Sequence, residues 1–218
     1  VGCGNGAFSG LITTSCFPSQ VDAIDPSAEQ IDFARSRSDA ANVNFQVGDA
    51  MSLGLDDNVF DIAVMALVIF FVPDPPKGLS EMVRVVKKDG LVTSYTWDTI
   101  NKGSPSSLIT GHLAEMGFKP DAPPNPQVSE MSALNKLWSN AGLTNLRSEV
   151  ITVERRFKDI DEYWEIASLF PNIQKIVPVL TPDQISDLKI RIEQDLAMGD
   201  DGFLYQTARA NAIVGSVV

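Results

Sequence analysis

The chain has 218 residues, 44% of them apolar and 21% charged, a composition that gives a globular protein with a sizeable core. Its formal charge of −11 repels phosphate, which excludes nucleic acid and anionic membrane surfaces as expected partners. Two cysteines and a lone histidine make no metal-ligand cluster, so no metal is expected and a reduced, cytoplasmic setting fits.

Val1-Gly2-Cys3-Gly4-Asn5-Gly6 opens the chain. A GxGxG run joins a first buried strand to a first helix, so that backbone N–H groups and the helix N-terminus face a ligand. Val1 alone stands where that strand is expected, and no initiator Met precedes it. The chain therefore reads as a fragment that begins inside a cofactor-binding domain. Residues 8–16 can form a helix, ended near Pro18. Residues 21–24 make a short strand ending at Asp25. Ser27 then caps a helix to about residue 38, with Gln30 placed as in a capping box. Residues 43–47 alternate as a strand and end at Gly48-Asp49.

Residues 60–65 are the next strand. They belong to the most apolar run of the chain, IAVMALVIFFV over 62–72. That run falls short of the ~20 residues a membrane helix needs, so no membrane insertion is expected. It reads as a strand buried on both faces that runs into a loop. Pro76 starts a helix with Leu79, Met82, Val83 and Val86 on one face, stopped by Gly90. Residues 91–97 are another strand. Strands alternating with helices imply a parallel sheet covered on both faces.

Beyond residue 98 the character changes. Residues 99–128 hold many glycines and prolines around one helical stretch, 106–116, and read as an insert or cap. Ser129 caps a helix carrying Met131, Leu134, Trp138 and Ala141, closed by Gly142. Residues 146–157 alternate as a strand. Residues 159–199 are helical, with Thr181-Pro182 opening the last helix and Ile185, Leu188, Ile192 and Leu196 on its buried side. Residues 203–214 form a final strand. The expectation is one domain over 1–218, with a cofactor-binding half at 1–98, the insert at 99–128, and a C-terminal half at 129–218 with a helical insert at 159–199.

Three features fall at the C-terminal ends of successive strands, where open α/β sheets bind ligands. They are Gly2-x-Gly4-x-Gly6, then Asp25, where an acid can accept both ribose hydroxyls, then Gly48-Asp49-Ala50, where a carboxylate can accept from an exocyclic amine. Each alone is weak, since an Asp after a strand is usually a cap. Together and in order they point to a nucleoside cofactor.

The segments VGCGNG, VDAIDPSAEQIDFAR, NVNFQVGDAMSL and FDIAVMALVIFFVPDPPKGLSEMVRVVKKDG resemble the class I S-adenosylmethionine-dependent methyltransferases, and among them the small-molecule type that includes ubiquinone-biosynthesis methyltransferases. The resemblance covers roughly residues 1–98. It implies an α/β fold with a doubly wound, Rossmann-like, mostly parallel seven-stranded sheet. The last strand is antiparallel beside the sixth, the first is truncated here, and there are helical inserts. It implies S-adenosyl-L-methionine as cofactor, S-adenosyl-L-homocysteine as product, and a small, partly apolar methyl acceptor. By the same resemblance Gly2, Cys3, Gly4 and Gly6 pack against the methionine and ribose portion. Asp25 holds the ribose hydroxyls, with Pro26 and Ser27 beside the adenine. Asp49 meets the adenine amine, Ala50 and Met51 add backbone and apolar contacts, and Ala66 and Leu67 offer backbone carbonyls to the methionine amino group. Members of the family often carry His where Phe70 and Phe71 stand, and their PGG-like turn is Lys88-Asp89-Gly90 here.

On the acceptor side, Phe70 and Phe71 follow one sheet strand, and Trp97 and Asp98 follow the next; all four are candidate substrate contacts, with core packing or a solvated loop as the plain alternatives. His112 is a candidate general base or a packed helical histidine, and Tyr163-Trp164 are pocket or core aromatics. No catalytic residue is assigned, because transfer from a sulfonium needs positioning more than proton chemistry. Two other readings stand. A NAD(P)-dependent oxidoreductase would use Gly2-x-Gly4-x-x-Ala7 as a looser fingerprint, although no Tyr-x-x-x-Lys pair is present. A non-catalytic methyltransferase-like binding module is the other. The acceptor and the oligomeric state are left open.

Overall fold

The computed structural model describes residues 1–218. In chain order its elements are α1 (Ala7–Cys16), β1 (Val21–Asp25), α2 (Ala28–Arg35), β2 (Val43–Val47), β3 (Phe60–Ala66), α3 (Pro75–Val85), β4 (Val86–Trp97), α4 (Ser107–Glu115), α5 (Met131–Asn140), β5 (Thr144–Phe157), α6 (Ile160–Ala167), α7 (Pro171–Gln174), α8 (Pro182–Asp195), β6 (Ala197–Met198) and β7 (Leu204–Ser216). They make two compact units. The first is Val1–Thr96 with Gln127–Glu149 and Asn211–Val218, and the second is Trp97–Pro126 with Val150–Ala210.

In the first unit β1 pairs parallel with β2, Asp25 lying opposite Val47. β3 pairs parallel with β4, Ala66 lying opposite Tyr95. β7 follows β4 in the sheet and β5 follows β7. β7 runs against β4: Val217 exchanges backbone hydrogen bonds with Asp89 and Gly90, while Thr93 Oγ1 donates to Ile213 O at 2.8 Å. The expected α/β fold, mostly parallel with an antiparallel last strand beside its predecessor, is the fold observed. The expected single sheet is instead two, β1–β2 and β3–β4–β7–β5. Residues 1–3 lie between them. The Val1 amino group donates to Val64 O at 2.8 Å, and the Gly2 and Cys3 amides donate to Ile24 O at 2.7 and 3.0 Å.

Helices α3 and α5 cover the β3–β4–β7 sheet through Leu79, Met82, Leu134 and Trp138, all fully buried. Trp138 satisfies its one donor by giving Nε1–H to Val92 O at 3.1 Å, which lets so large a ring sit in the core. A smaller core joins α2 to the β1–β2 sheet through Ile31, Ala34, Ala23 and Phe45.

Several boundaries depart from the sequence reading. α2 stops at Arg35, and residues Ser38–Ala40 form a separate 3₁₀ turn. Ser27 Oγ accepts from Gln30 N at 3.2 Å as a cap should. α3 begins one residue early, with Asp74 accepting from Lys77 N, and stops at Val85. Val86 is a strand residue opposite Phe60, because the β-branched pair Val85-Val86 goes over into β4 once the helix face is spent. Ile62 is 54% exposed, so the apolar run is not buried on both faces; β3 is the end strand of its sheet. Ser129 does not cap α5. It lies in a 3₁₀ turn, its carbonyl accepts from Asn211 Nδ2 at 2.7 Å, and the N-cap is Glu130.

The second unit is mainly helical. α4, α6 and α8 bury Ile109, Leu113, Tyr163, Leu188 and Ile192 in one core. The expected helical stretch 159–199 breaks at Phe170-Pro171 and again at Leu180, and Thr181 opens α8 with a full capping box. Residues 197–198 are a short strand paired antiparallel with β7 rather than helix. No helix is long and apolar enough to cross a membrane.

Candidate functional site

Gly2, Gly4 and Gly6 all hold left-handed φ, at 69°, 51° and 78°. Two of them are also pressed by neighbours. A Cβ on Gly2 would stand 2.5 Å from Val68 Cγ1, and one on Gly6 would stand 2.9 Å from both Ala34 Cβ and Phe45 Cζ. Gly4 differs, because a Cβ there would meet nothing within 4 Å. The turn is thus packed at its ends and open at its middle. Asp25, at the end of β1, fixes it. Oδ2 accepts from Gly4 N at 2.8 Å, and Oδ1 accepts from Ser27 N at 3.0 Å, which ties the turn to the start of α2. Pro26 and Ser27 stand directly before that helix, Ser27 as its N-cap. Burial, and then the Asp25 charge, push the Cys3 thiol up to about 11, so it stays neutral at ordinary pH.

Asp49 ends the β2 segment as an exposed residue. Its Oδ1 accepts from Met51 N at 2.8 Å, and its carbonyl accepts from Ser52 N at 3.0 Å, which shapes a tight turn at Ala50 and Met51. The chain that follows is held by α3. Glu81 Oε2 accepts from Leu53 N at 3.0 Å and from Arg84 Nη2 at 2.8 Å, and Arg84 Nη1 donates to Leu55 O at 2.7 Å. The Arg84 guanidinium holds the Glu81 carboxyl down at about 2. Glu81 is 8% exposed, so this clamp is a buried one. In the unfolded chain the carboxyl titrates near its ordinary 4.5. The stabilisation is therefore whole above that pH and is lost as pH falls from there through about 2. Glu81→Gln is expected to cost about 2 kcal/mol at pH 7. Urea unfolding should show the gap to the parent narrowing at pH 3; an equal gap at both pH values overturns the assignment.

At the end of β3, Leu67 takes a left-handed φ of 62° while its N–H donates to Tyr95 O at 2.8 Å. A branched residue in that region costs roughly 1–2 kcal/mol. Such strain collects where the backbone serves a ligand. Tyr95 itself stands edge-on to Phe8 of α1, ring centroids 5.8 Å apart. No motif marks either aromatic in the sequence, although Tyr95 lies opposite Ala66 on the next strand. Of the two phenylalanines, Phe70 is 4% exposed and belongs to the core, whereas Phe71 is 57% exposed. Their rings lie 4.4 Å apart.

The remaining candidates sit in the second unit. Trp97 is half-buried. Asp98 is buried, not solvated. Its Oδ1 accepts from Asn101 Nδ2 at 2.9 Å, and Arg209 Nη2 lies 3.8 Å from Oδ2, so it shapes the 98–103 turn. His112 has both ring nitrogens engaged, Nε2 with Asp195 at 2.9 Å and Nδ1 with Glu115 at 3.3 Å, joining α4 to α8. That is the packed reading of the histidine. Tyr163 is fully buried and Trp164 partly so.

The turn, Asp25 and Asp49 thus all lie on the first unit, the two acids at or just past the ends of the paired strands β1 and β2. Residues 1–93 match the methyltransferase domain family. That match is confined to this segment, and the chain as a whole has the class I methyltransferase fold. It is 30% identical over 116 residues to a malonyl-[acyl-carrier protein] O-methyltransferase of Serratia marcescens, a match covering 53% of this chain and 40% of that protein. It is 44% identical over 52 residues to a demethylmenaquinone methyltransferase of Desulfitobacterium hafniense, covering 24% of this chain and 21% of that one. Among solved structures it superposes on a SAM-dependent methyltransferase of Thermotoga maritima, described as a possible histamine N-methyltransferase, with a TM-score of 0.59, 20% identity, and coverage of 100% of this chain and 80% of that one. The chain matches well under half the length of these curated relatives.

Proposed function

We propose that the first unit binds S-adenosylmethionine and that the protein transfers its methyl group to a small, partly apolar acceptor. The observation that carries this is Asp25 tied to the amide of Gly4, the one turn glycine whose missing side chain leaves open space. The residues fit the cofactor. Each Asp25 oxygen accepts one backbone amide and keeps a lone pair, enough for two ribose hydroxyls. Asp49 spends Oδ1 on Met51 N and leaves Oδ2 for an exocyclic amine, with Ala50 and Met51 beside it. Pro26 and Ser27 flank the same edge, and Ala66 and the strained Leu67 present backbone at the end of β3. When bound, the cofactor supplies an already activated methyl group on sulfur. What the protein adds is position and exclusion of water. No side chain is assigned as a base. On the acceptor side of the first unit Phe71 is the accessible candidate, while Phe70 is buried in the core.

Titration calorimetry with S-adenosylhomocysteine and with NADH tests the reading. Binding of the first and not the second is expected; the reverse favours the oxidoreductase. Asp49→Ala should weaken S-adenosylhomocysteine about tenfold, the scale of one charge-assisted hydrogen bond. Asp56→Ala, an exposed acid outside the turn, should leave it unchanged. Equal behaviour of the two variants removes Asp49 from the site. Labelled cofactor with a panel of acceptors then separates an enzyme from a binding module.

A further inference from the structure

We propose that β5 is an interaction surface for a second copy of this chain, the free edges of two β5 strands pairing antiparallel about a two-fold axis through Thr152. β5 runs for 14 residues, well beyond the ~5–6 of an ordinary strand, and stands at the end of its sheet next to β7. The strand at the other end, β3, has its outer edge engaged where the Val1 amino group donates to Val64 O. β5 has no such cover. Apart from the sheet ladder itself, no backbone hydrogen bond reaches any residue from 144 to 157. An edge with unpaired N–H and C=O groups is a template for another strand, and chains usually blunt it with lysine, proline, a bulge or a covering element. Residues 144–157 contain no lysine, proline or glycine, and from Leu146 on none holds a left-handed φ. Every residue from Arg147 to Arg156 is exposed, on both faces of the sheet, with Val150, Ile151 and Val153 among them.

The charges along the strand name the partner. Of the charged residues of β5 only Arg156 has an ionic partner, Asp201 at 3.9 Å. Arg147, Glu149 and Glu154 have none, and Arg155 only stands over the Phe157 ring. Side chains alternate between faces along a strand, so a two-fold axis perpendicular to the sheet must bring residues of the same face opposite one another. The axis therefore passes through a residue, and that residue sets the pairs. With Thr152 at the centre, Glu149 of each copy meets Arg155 of the other, Ile151 meets Val153, and Thr152 meets itself. Unlike charges and paired apolar side chains facing across an antiparallel pair stabilise it. The neighbouring registers lack this match. Centring on Ile151 sets Arg147 against Arg155, centring on Val150 or Val153 pairs no charges within the strand, and centring on Glu149 or Glu154 sets an acid against its own copy. The whole chain carries −11, but β5 has three arginines against two glutamates, so the edge itself does not share that repulsion. Each copy satisfies the other's edge, so the assembly closes at two.

Sedimentation equilibrium of the full chain tests this. The parent is expected to dimerise with a Kd on the order of 10 µM, as suits an interface at the small end of the specific range. Glu149→Arg and Arg155→Glu each set like charges across the axis and should weaken the dimer about tenfold or more. Mixed in equal amounts, the two variants should dimerise as the parent does, because each then offers the charge that the other lacks. Both positions are exposed, so the fold, checked by circular dichroism, should be unchanged. Hydrogen exchange in the parent should slow with protein concentration along residues 148–156. A monomeric parent, single variants that dimerise as the parent does, a mixture that fails to recover the dimer, or protection confined to other elements overturns the proposal. The first of these outcomes would leave the edge to a strand of another protein.

Discussion

Asp25→Ala is expected to raise the Kd for S-adenosylhomocysteine about a hundredfold, or ~2.7 kcal/mol. Two contributions make it larger than the loss of a single contact. The carboxylate is the proposed acceptor for two ribose hydroxyls, and hydrogen bonds to a charged group are worth about 1.5–3 kcal/mol each. It also holds the amides of Gly4 and Ser27, so the alanine variant frees the middle of the turn from the end of β1. Asp25→Asn separates these effects. An amide side chain keeps one acceptor but turns an NH₂ toward the other backbone N–H, so it should bind almost as poorly as alanine. The strand itself should survive, because Asp25 pairs with Val47 through backbone groups alone. Circular dichroism checks the fold and calorimetry the affinity. Unchanged affinity in a folded Asp25→Ala protein removes the ribose assignment.

The parts of this site that sequence makes legible are those written locally. Gly2, Gly4 and Gly6 advertise a tight turn, and Asp25 and Asp49 each stand at the end of a short alternating strand. What sequence leaves out is what distant residues decide. The Glu81–Arg84 pair is visible as helix neighbours, but its partners Leu53 N and Leu55 O come from a loop 28 and 29 residues earlier, and no local pattern announces them. Phe70 and Phe71 are alike in sequence, and only the 3₁₀ turn after β3 sends one ring into the core and the other out. The end of α3 is ambiguous in sequence for a related reason. Val83, Val85 and Val86 satisfy a helical face and a strand equally well, and the pairing of Val86 with Phe60 chooses the strand. Ser129 has the chemistry of a cap, yet its carbonyl is engaged by Asn211 from the far end of the chain. Leu67 gives no sign in sequence of its left-handed backbone, because nothing about leucine asks for it.

Gly6→Ala and Gly4→Ala should fail in opposite ways. Both need a left-handed φ, which costs an alanine roughly 1–2 kcal/mol. At Gly6 the new methyl also meets Ala34 Cβ and Phe45 Cζ at 2.9 Å. Those atoms cannot yield easily, since Ala34 and Phe45 are buried between α2 and the β1–β2 sheet. Overpacking of that kind adds about 1–3 kcal/mol. Gly6→Ala should therefore lose about 3 kcal/mol of stability, a melting shift on the order of 10 °C. At Gly4 there is no neighbour within 4 Å, so the stability loss stops at the strain of about 1 kcal/mol. Its methyl instead points into the space assigned to the cofactor and should weaken S-adenosylhomocysteine at least tenfold, ~1.4 kcal/mol. Urea unfolding and calorimetry on both variants read the two effects separately. If Gly4→Ala binds as well as the parent, the open space at the middle of the turn is not where the ligand lies. If Gly6→Ala melts with the parent, the turn is not packed as described.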